Sequence, residues 1–219
     1  MTTFRDTPVY NDSLEDMLEK HNIEKLLQYE RYCRDDFLFD EMEKCYASDA
    51  SLRVTWYNGT GKQYVDLARK QGQKPDNSVG SALYRGPKHK VHNTFIWLNQ
   101  DKTKAVAEMQ TLMLAMKDIK GHIYYRGGWG RLLYKVKKED GVWKIYGMDC
   151  IYERDFLIPA KPDYSFDTSI DFSKYRKSYQ CISYLFDKRG TENNNDLPGD
   201  DRPELIEALY KEADEWLYA

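Results

Sequence analysis

From Gly86-Pro87 to Tyr152 the chain alternates long strand-like runs with turns of a few residues, and this pattern points to an antiparallel sheet. In the first run Val91, Thr94, Phe95, Ile96 and Trp97 supply β-branched and aromatic residues. Asn99 to Thr103 turns. Lys104 to Met116 has the alanine and methionine content of a helix, yet its place between two strands favours a long strand. Lys117 to Gly121 turns again. His122 to Lys137 is strand-like, with Gly127, Gly128 and Gly130 marking bends or bulges. Lys138 to Gly141 (KEDG) is a hairpin turn, followed by a strand over Val142 to Tyr152.

Helices precede this sheet. Asp12 to Glu15 (DSLE) fits a capping box, and Leu14, Met17 and Leu18 begin an apolar stripe. Ile23, Leu26, Leu27 and Cys33 continue one face, with Tyr29 at its edge and Glu30 near its middle. A carboxylate there needs a helix end or an arginine partner, or else it serves a ligand. Phe37 to Ser48 reads as a second helix and Ser51 to Tyr57 as a strand. Asn58 to Gly61 is a turn, and Lys62 to Lys70 a short helix. Gln71 to Ser81 reads as a mobile loop that could act as a lid. The fold class expected is α+β. A curved mixed or antiparallel sheet forms a cone, with N-terminal helices closing it around an apolar pocket.

Beyond Arg154 the character changes. Residues 1–157 are expected to form the cone domain and 158–219 an extension: an irregular segment, a linker over Thr191 to Asp201, and a final helix opened by Arg202-Pro203-Glu204. That tail is expected over the cone mouth or against a partner subunit.

His89 is the residue with the most chemical promise. On a regular strand it shares a face with Val91, Asn93, Phe95 and Trp97, and His92 points the other way. A histidine in an apolar cavity exchanges protons near neutral pH. With 33 basic against 36 acidic residues and no long basic run, nucleic acid is not an expected partner. The four cysteines are scattered without a CxxC pair, which argues against structural zinc and demands no disulfide. No apolar segment is long enough to span a bilayer and no signal pattern opens the chain, so a cytoplasmic location is expected.

Three stretches carry a resemblance. Asp35 to Ala50 (DDFLFDEMEKCYASDA) places an aromatic, Phe39, four residues after an Asp, followed by Tyr46 to Ala50. KHKVHNTFIW carries a histidine, a short apolar stretch and an aromatic. Residues 132–148 (LLYKVKKEDGVWKIYGM) match a hairpin before a last strand. In this order and spacing the chain resembles SnoaL-like and scytalone-dehydratase-like proteins, which share the cone fold of nuclear transport factor two and ketosteroid isomerase.

The resemblance implies water elimination next to a carbonyl, without metal or organic cofactor, by an acid–base pair at His89 and Asp35. It leaves a hydrogen-bond donor to be found. Tyr29 is the first candidate, with Tyr124 and Tyr57 behind it. Trp56, Asn93, Tyr124, Arg126 and Glu30 are the residues expected at the substrate. The chain departs from scytalone dehydratase where Trp56 replaces a strand tyrosine and Arg34 a tyrosine beside the Asp. A second histidine is missing, and Gly130 and Leu132 stand for a serine and an asparagine. A larger apolar substrate is therefore expected, with bile acid 7-dehydratase as the nearest analogue. An isomerase, a non-catalytic ligand-binding protein and an oxygenase small subunit are the alternatives. Proteins of this fold often pair through the open sheet face, so a homodimer or trimer is expected.

Overall fold

A computed structural model describes residues 3–72, 86–188, 190 and 193–219. The expected lid over 71–81 lies, from residue 73 onward, outside the described residues. The elements are α1 (Leu14–Asp35), α2 (Phe39–Lys44), β1 (Tyr46–Val54), β2 (Tyr57–Thr60), α3 (Gly61–Gly72), β3 (Lys88–Leu98), β4 (Lys104–Ile119), β5 (His122–Glu139), β6 (Val142–Pro159), α4 (Gln180–Asp187) and α5 (Pro203–Tyr218). The class is α+β. One six-stranded mixed sheet runs β2-β1-β6-β5-β4-β3, with β1 parallel to β6 and every other pairing antiparallel.

The long strands follow their turns. Ile119 pairs with His122 and Glu139 with Val142, each pair closed by two residues of positive φ, Lys120-Gly121 and Asp140-Gly141. These φ values match the right-handed twist of the strands they join. Lys104 to Ile119 is a strand despite its helix-forming composition, because β3 and β5 pair along both its edges.

Several local expectations shift. Ser13, not Asp12, caps α1, reciprocally with Asp16. Leu14, Met17 and Leu18 are exposed, and the buried stripe starts at Ile23. The second helix ends at Lys44, and β1 begins at Tyr46, where the chain pairs with Ile145 of β6. Asn58 to Thr60, read as a turn, is strand β2 folded back on β1.

The largest change is in β3. Asn93 takes φ 46° and the register with β4 slips between His92 and Thr94. This β-bulge inverts the alternation beyond it. His89 and Val91 face inward before the bulge, whereas Thr94 and Ile96 do so after it. Phe95 is exposed, and Trp97 packs on the outer face against Phe4.

The sheet has a core on each face. Inside, Ile96, Ala107, Tyr134 and Met148 meet α1, α2 and α3. Outside, Val106, Leu133 and Ile151 are covered by Leu209, Ala213 and Leu217 of α5 and by Phe4. The face expected to carry an oligomer interface is thus occupied by the chain's own helix. The segment read as a linker is pinned as well: Leu197 is buried, and Tyr152 of β6 exchanges backbone hydrogen bonds with Pro198 and Asp200.

Candidate active site

The site begins with the last turns of α1. Glu30, Arg31, Arg34 and Asp35 fall at spacings of one, four and five, which set them on one side of the helix. All four are buried. Glu30 holds Arg31 with both oxygens, at 2.5 Å each, and accepts the Tyr46 hydroxyl at 2.6 Å. α1 then stops at once. Phe37 adopts φ 61°, and the Leu38 N–H turns back to the Cys33 carbonyl at 2.9 Å. Asp35 is thereby fixed at the helix end, facing β3.

There it meets His89 twice. One carboxylate oxygen accepts the His89 backbone N–H at 2.5 Å and the other lies 2.6 Å from Nδ1. Lys88 Nζ closes the same junction, donating to the Asp35 carbonyl at 2.6 Å and to the Asp36 carboxylate at 2.8 Å. Burial alone would raise Asp35, but the hydrogen bonds and charge of His89 outweigh it and hold the carboxyl below its usual range. An ionised carboxylate only accepts, so Nδ1 carries the proton and Nε2 keeps its lone pair. Burial first, then the charges of Arg31 and Arg34, hold His89 below the ordinary histidine value, although Asp35 pulls it upward. The ring is a neutral base.

His89 lines a cavity of about 750 Å³, its open mouth included. Sheet register explains who else is there. Cα partners across the sheet share a face, and His89, Met113, Gly128 and Asp155 form one such row. Glu153 is the extra residue of a bulge, and the shift it makes points Asp155 inward. Gly128 has no side chain in that row, and the Arg126 guanidinium lies over it. The apolar wall includes Trp56, Met113, Leu132 and Met148, and Trp56 stacks on Tyr64 with centroids 5.2 Å apart. Ser178, Tyr179 and Ile182, leading into and within α4, line the cavity too, and Asp155 accepts the Ile182 N–H at 2.8 Å. Burial nonetheless holds Asp155 above the usual carboxylate range. Cys150 is also in the wall, its thiol pushed up to about 12 by burial, so it is no nucleophile at neutral pH.

Of the residues expected at the site, His89, Trp56 and Arg126 line the cavity, and Asp35 stands behind His89. Four others lie elsewhere. Tyr29 is half-exposed on α1 and stacks on Tyr32. Asn93 sits at the bulge, exposed, donating to Gln110 at 2.9 Å. Tyr124 is buried in a separate cluster beneath the extension and accepts the Asp167 N–H. Glu30 is closed off by Arg31 and Tyr46. Tyr57, the remaining donor candidate, spends its hydroxyl on the Thr60 carbonyl at 2.5 Å.

The sequence reading overlooked Arg31, Tyr64, Thr111, Tyr152 and Asp155, and noticed Arg34 only as a replacement. Arg31 and Arg34 carried a signal, since they share a helix side with Glu30. Asp155 carried none, because a bulge decides its direction. Among the described residues no group of three or more His, Cys, Asp or Glu is arranged to hold a metal ion. No helix among them is long and apolar enough to cross a membrane.

A family model for a SnoaL-like domain matches residues 15–149. No curated protein matches the sequence. Among solved structures, a candidate scytalone dehydratase from Novosphingobium aromaticivorans superposes with a TM-score of 0.51 at 16% identity, over 74% of this chain and 97% of the other. Hexachlorocyclohexane dehydrochlorinase LinA-type3 from Novosphingobium barchaimii gives 0.52 at 14%, over 71% and 99%. Rv3472 from Mycobacterium tuberculosis, of unknown function, gives 0.51 at 13%, over 83% and 94%. At such identities the likeness is one of fold.

Proposed function

The chain belongs to the SnoaL-like family, and we propose that it is a cofactor-independent lyase, a dehydratase acting on an apolar, carbonyl-activated substrate. One observation carries the reading: a neutral histidine, clamped through its backbone and its ring by one buried carboxylate, opens onto a largely apolar cavity. One structural neighbour bears the name of a candidate scytalone dehydratase and another that of a dehydrochlorinase, and loss of water and loss of hydrogen chloride are both eliminations.

His89 Nε2 takes a proton from the carbon next to a carbonyl, or vinylogous to it. The C–H pair becomes a carbon–carbon π bond and the carbonyl π pair moves onto oxygen. When that enolate collapses, the C=O re-forms and the β-hydroxyl leaves with its bonding pair. The proton held by His89 completes the water. Asp35 keeps the ring in one tautomer and stabilises the imidazolium between the two steps. The side chains of Trp56, Met113 and Leu132 in the cavity wall suit a flat apolar body such as a steroid ring system. The four free, buried cysteines suit a reducing cytoplasm.

The test is thermal stabilisation by a panel of 3-oxo-Δ4 steroids and bile acids bearing a 7-hydroxyl. Compounds that stabilise the protein are then followed for water loss by mass spectrometry, in wild type and His89→Ala. Water loss that vanishes in His89→Ala is the expected result. Binding without turnover would favour a ligand-binding protein, and no shift with any compound would remove the steroid class.

A further inference from the structure

The polar groups on the buried side of α1 are matched in pairs, Glu30 with Arg31 and Asp35 with His89. Arg34 breaks the series. It is 7% exposed and lines the cavity. Among the described residues it has neither a carboxylate nor a hydrogen-bond acceptor. Its contact is with Trp56, whose ring centre lies 6.0 Å from Cζ. A guanidinium cannot shed its proton to relieve burial. A cation–π contact offsets only part of the penalty of burying an unpaired charge. Two of the positions at which the chain departs from the scytalone dehydratase pattern, Arg34 and Trp56, are thus in contact with each other.

A second observation points into the same space. Thr111 is 6% exposed, lines the cavity, and its hydroxyl has no hydrogen-bond partner among the described residues. Buried polar groups are almost always paired. Here a permanent cation and a hydroxyl in the lining of one cavity both lack an acceptor among the described residues.

We propose that Arg34 is the oxyanion-binding residue of the cavity, and that its ligand has an apolar body and one negatively charged oxygen. The body lies along Trp56, Met113 and Leu132 while the oxygen meets the guanidinium. The inference deepens the elimination reading and rests on it for one source of that charge, the carbonyl oxygen that becomes an enolate as His89 takes its proton. The other source is a carboxylate that the ligand already carries. In the first case Arg34 is a catalytic residue. It lowers the barrier where charge develops and so compensates for a base that burial has made weak.

Three probes separate the possibilities: 4-nitrophenol, whose ionised form mimics an enolate, 2-naphthoate for a carboxylate, and 4-nitroanisole as the neutral match. Each is titrated by absorbance or calorimetry between pH 5.5 and 8 against wild type, Arg34→Met, Arg34→Lys and His89→Gln. Wild type should take at least one of the two anions about 10- to 100-fold more tightly than nitroanisole. Arg34→Met, which keeps the stem along Trp56, should lose that preference and still bind nitroanisole as wild type does. Arg34→Lys should keep part of it. The tighter anion identifies the source. The proposal is overturned if wild type shows no preference for either anion, or if Arg34→Met retains it. His89→Gln, which ends elimination, should keep the anion preference, so a failure of the lyase reading and a failure of the Arg34 assignment are read separately.

Discussion

At the scale of residues, the Asp35–His89 contact sets the pH response and, on the proposed elimination, the chemistry. Asp35→Asn can still accept from the His89 backbone N–H, but its amide no longer favours the imidazolium. Turnover of any substrate identified should fall on the order of 10²- to 10⁴-fold with little change in fold, and a fall of less than tenfold would remove Asp35 from the mechanism. Stability should follow the same pair. His89 is held below the ordinary histidine value, so the fold favours its neutral form. That contribution is complete above about pH 6.5 and is lost as pH falls through the lowered value. Asp35 is held below the usual carboxylate value, and its contribution is complete above about pH 3.9 and lost below it. Both act in one direction, in successive windows. The gap in urea midpoint between wild type and His89→Gln should therefore shrink as pH drops from 7 to 5, and a gap that widens would contradict the assignment. This contact was legible because the resemblance supplied both positions. The donor was not. Tyr29 sits at the edge of the helix face, and a few tens of degrees of rotation decide between cavity and solvent. Glu30 read equally as a ligand contact or an arginine partner, since sequence shows the charge and not which neighbour is in range.

At the scale of elements, bulges and glycines decide where side chains point. A Cβ on Gly130 would stand 2.7 Å from the Ile151 carbonyl oxygen, a backbone atom that moves only with β6. A Cβ on Gly128 would meet nothing closer than Asp155 Cβ at 3.5 Å, an ordinary contact. Gly130→Ala should therefore destabilise by about 1–3 kcal/mol. Gly128→Ala should stay within about 0.5 kcal/mol of wild type in the same urea titration. Equal effects would show that the approach at Gly130 relaxes freely. Gly128→Val, by contrast, should keep the fold and narrow the cavity, weakening any ligand. The strands themselves were readable, because turns such as Asp140-Gly141 announce themselves. The bulge at Asn93 was not. Its left-handed φ suits asparagine, but many asparagines never adopt it. One unread bulge was enough to place Asn93, Phe95 and Trp97 on the wrong face. The start of β1 was misplaced for a related reason: Tyr46 to Ala50 continues a helical pattern, and only the pairing with β6, a hundred residues away, makes it a strand.

At the scale of the whole molecule, the extension does two jobs that composition could not separate. The turn over Lys177–Tyr179 and α4 lie against the cavity, with Ser178, Tyr179 and Ile182 in its wall. α5 lies on the opposite face of the sheet. Its amphipathic period predicted a buried side but not the surface that buries it, since the outer sheet face, the cavity mouth and a second subunit all offer apolar area. In the structure Leu209, Ala213 and Leu217 cover Val106, Leu133 and Ile151. Polar contacts fix the register: Arg131 donates to the Tyr210 hydroxyl at 2.6 Å, Tyr210 donates to Glu108, and the Phe4 N–H reaches Asp214 at 2.6 Å. A sheet face this apolar is stable only when something covers it, and here the cover is intramolecular. Leu209→Asp would set a charge against that core. It should lower stability by on the order of 3 kcal/mol or more. Released from α5, the face should seek another partner, so sedimentation velocity should show self-association rising with concentration beyond that of wild type. Nitroanisole binding should survive where the sheet stays folded, because the cavity lies on the other face. A variant with unchanged stability and unchanged sedimentation would mean that α5 is dispensable to the sheet, and the outer face would again be open to a subunit interface.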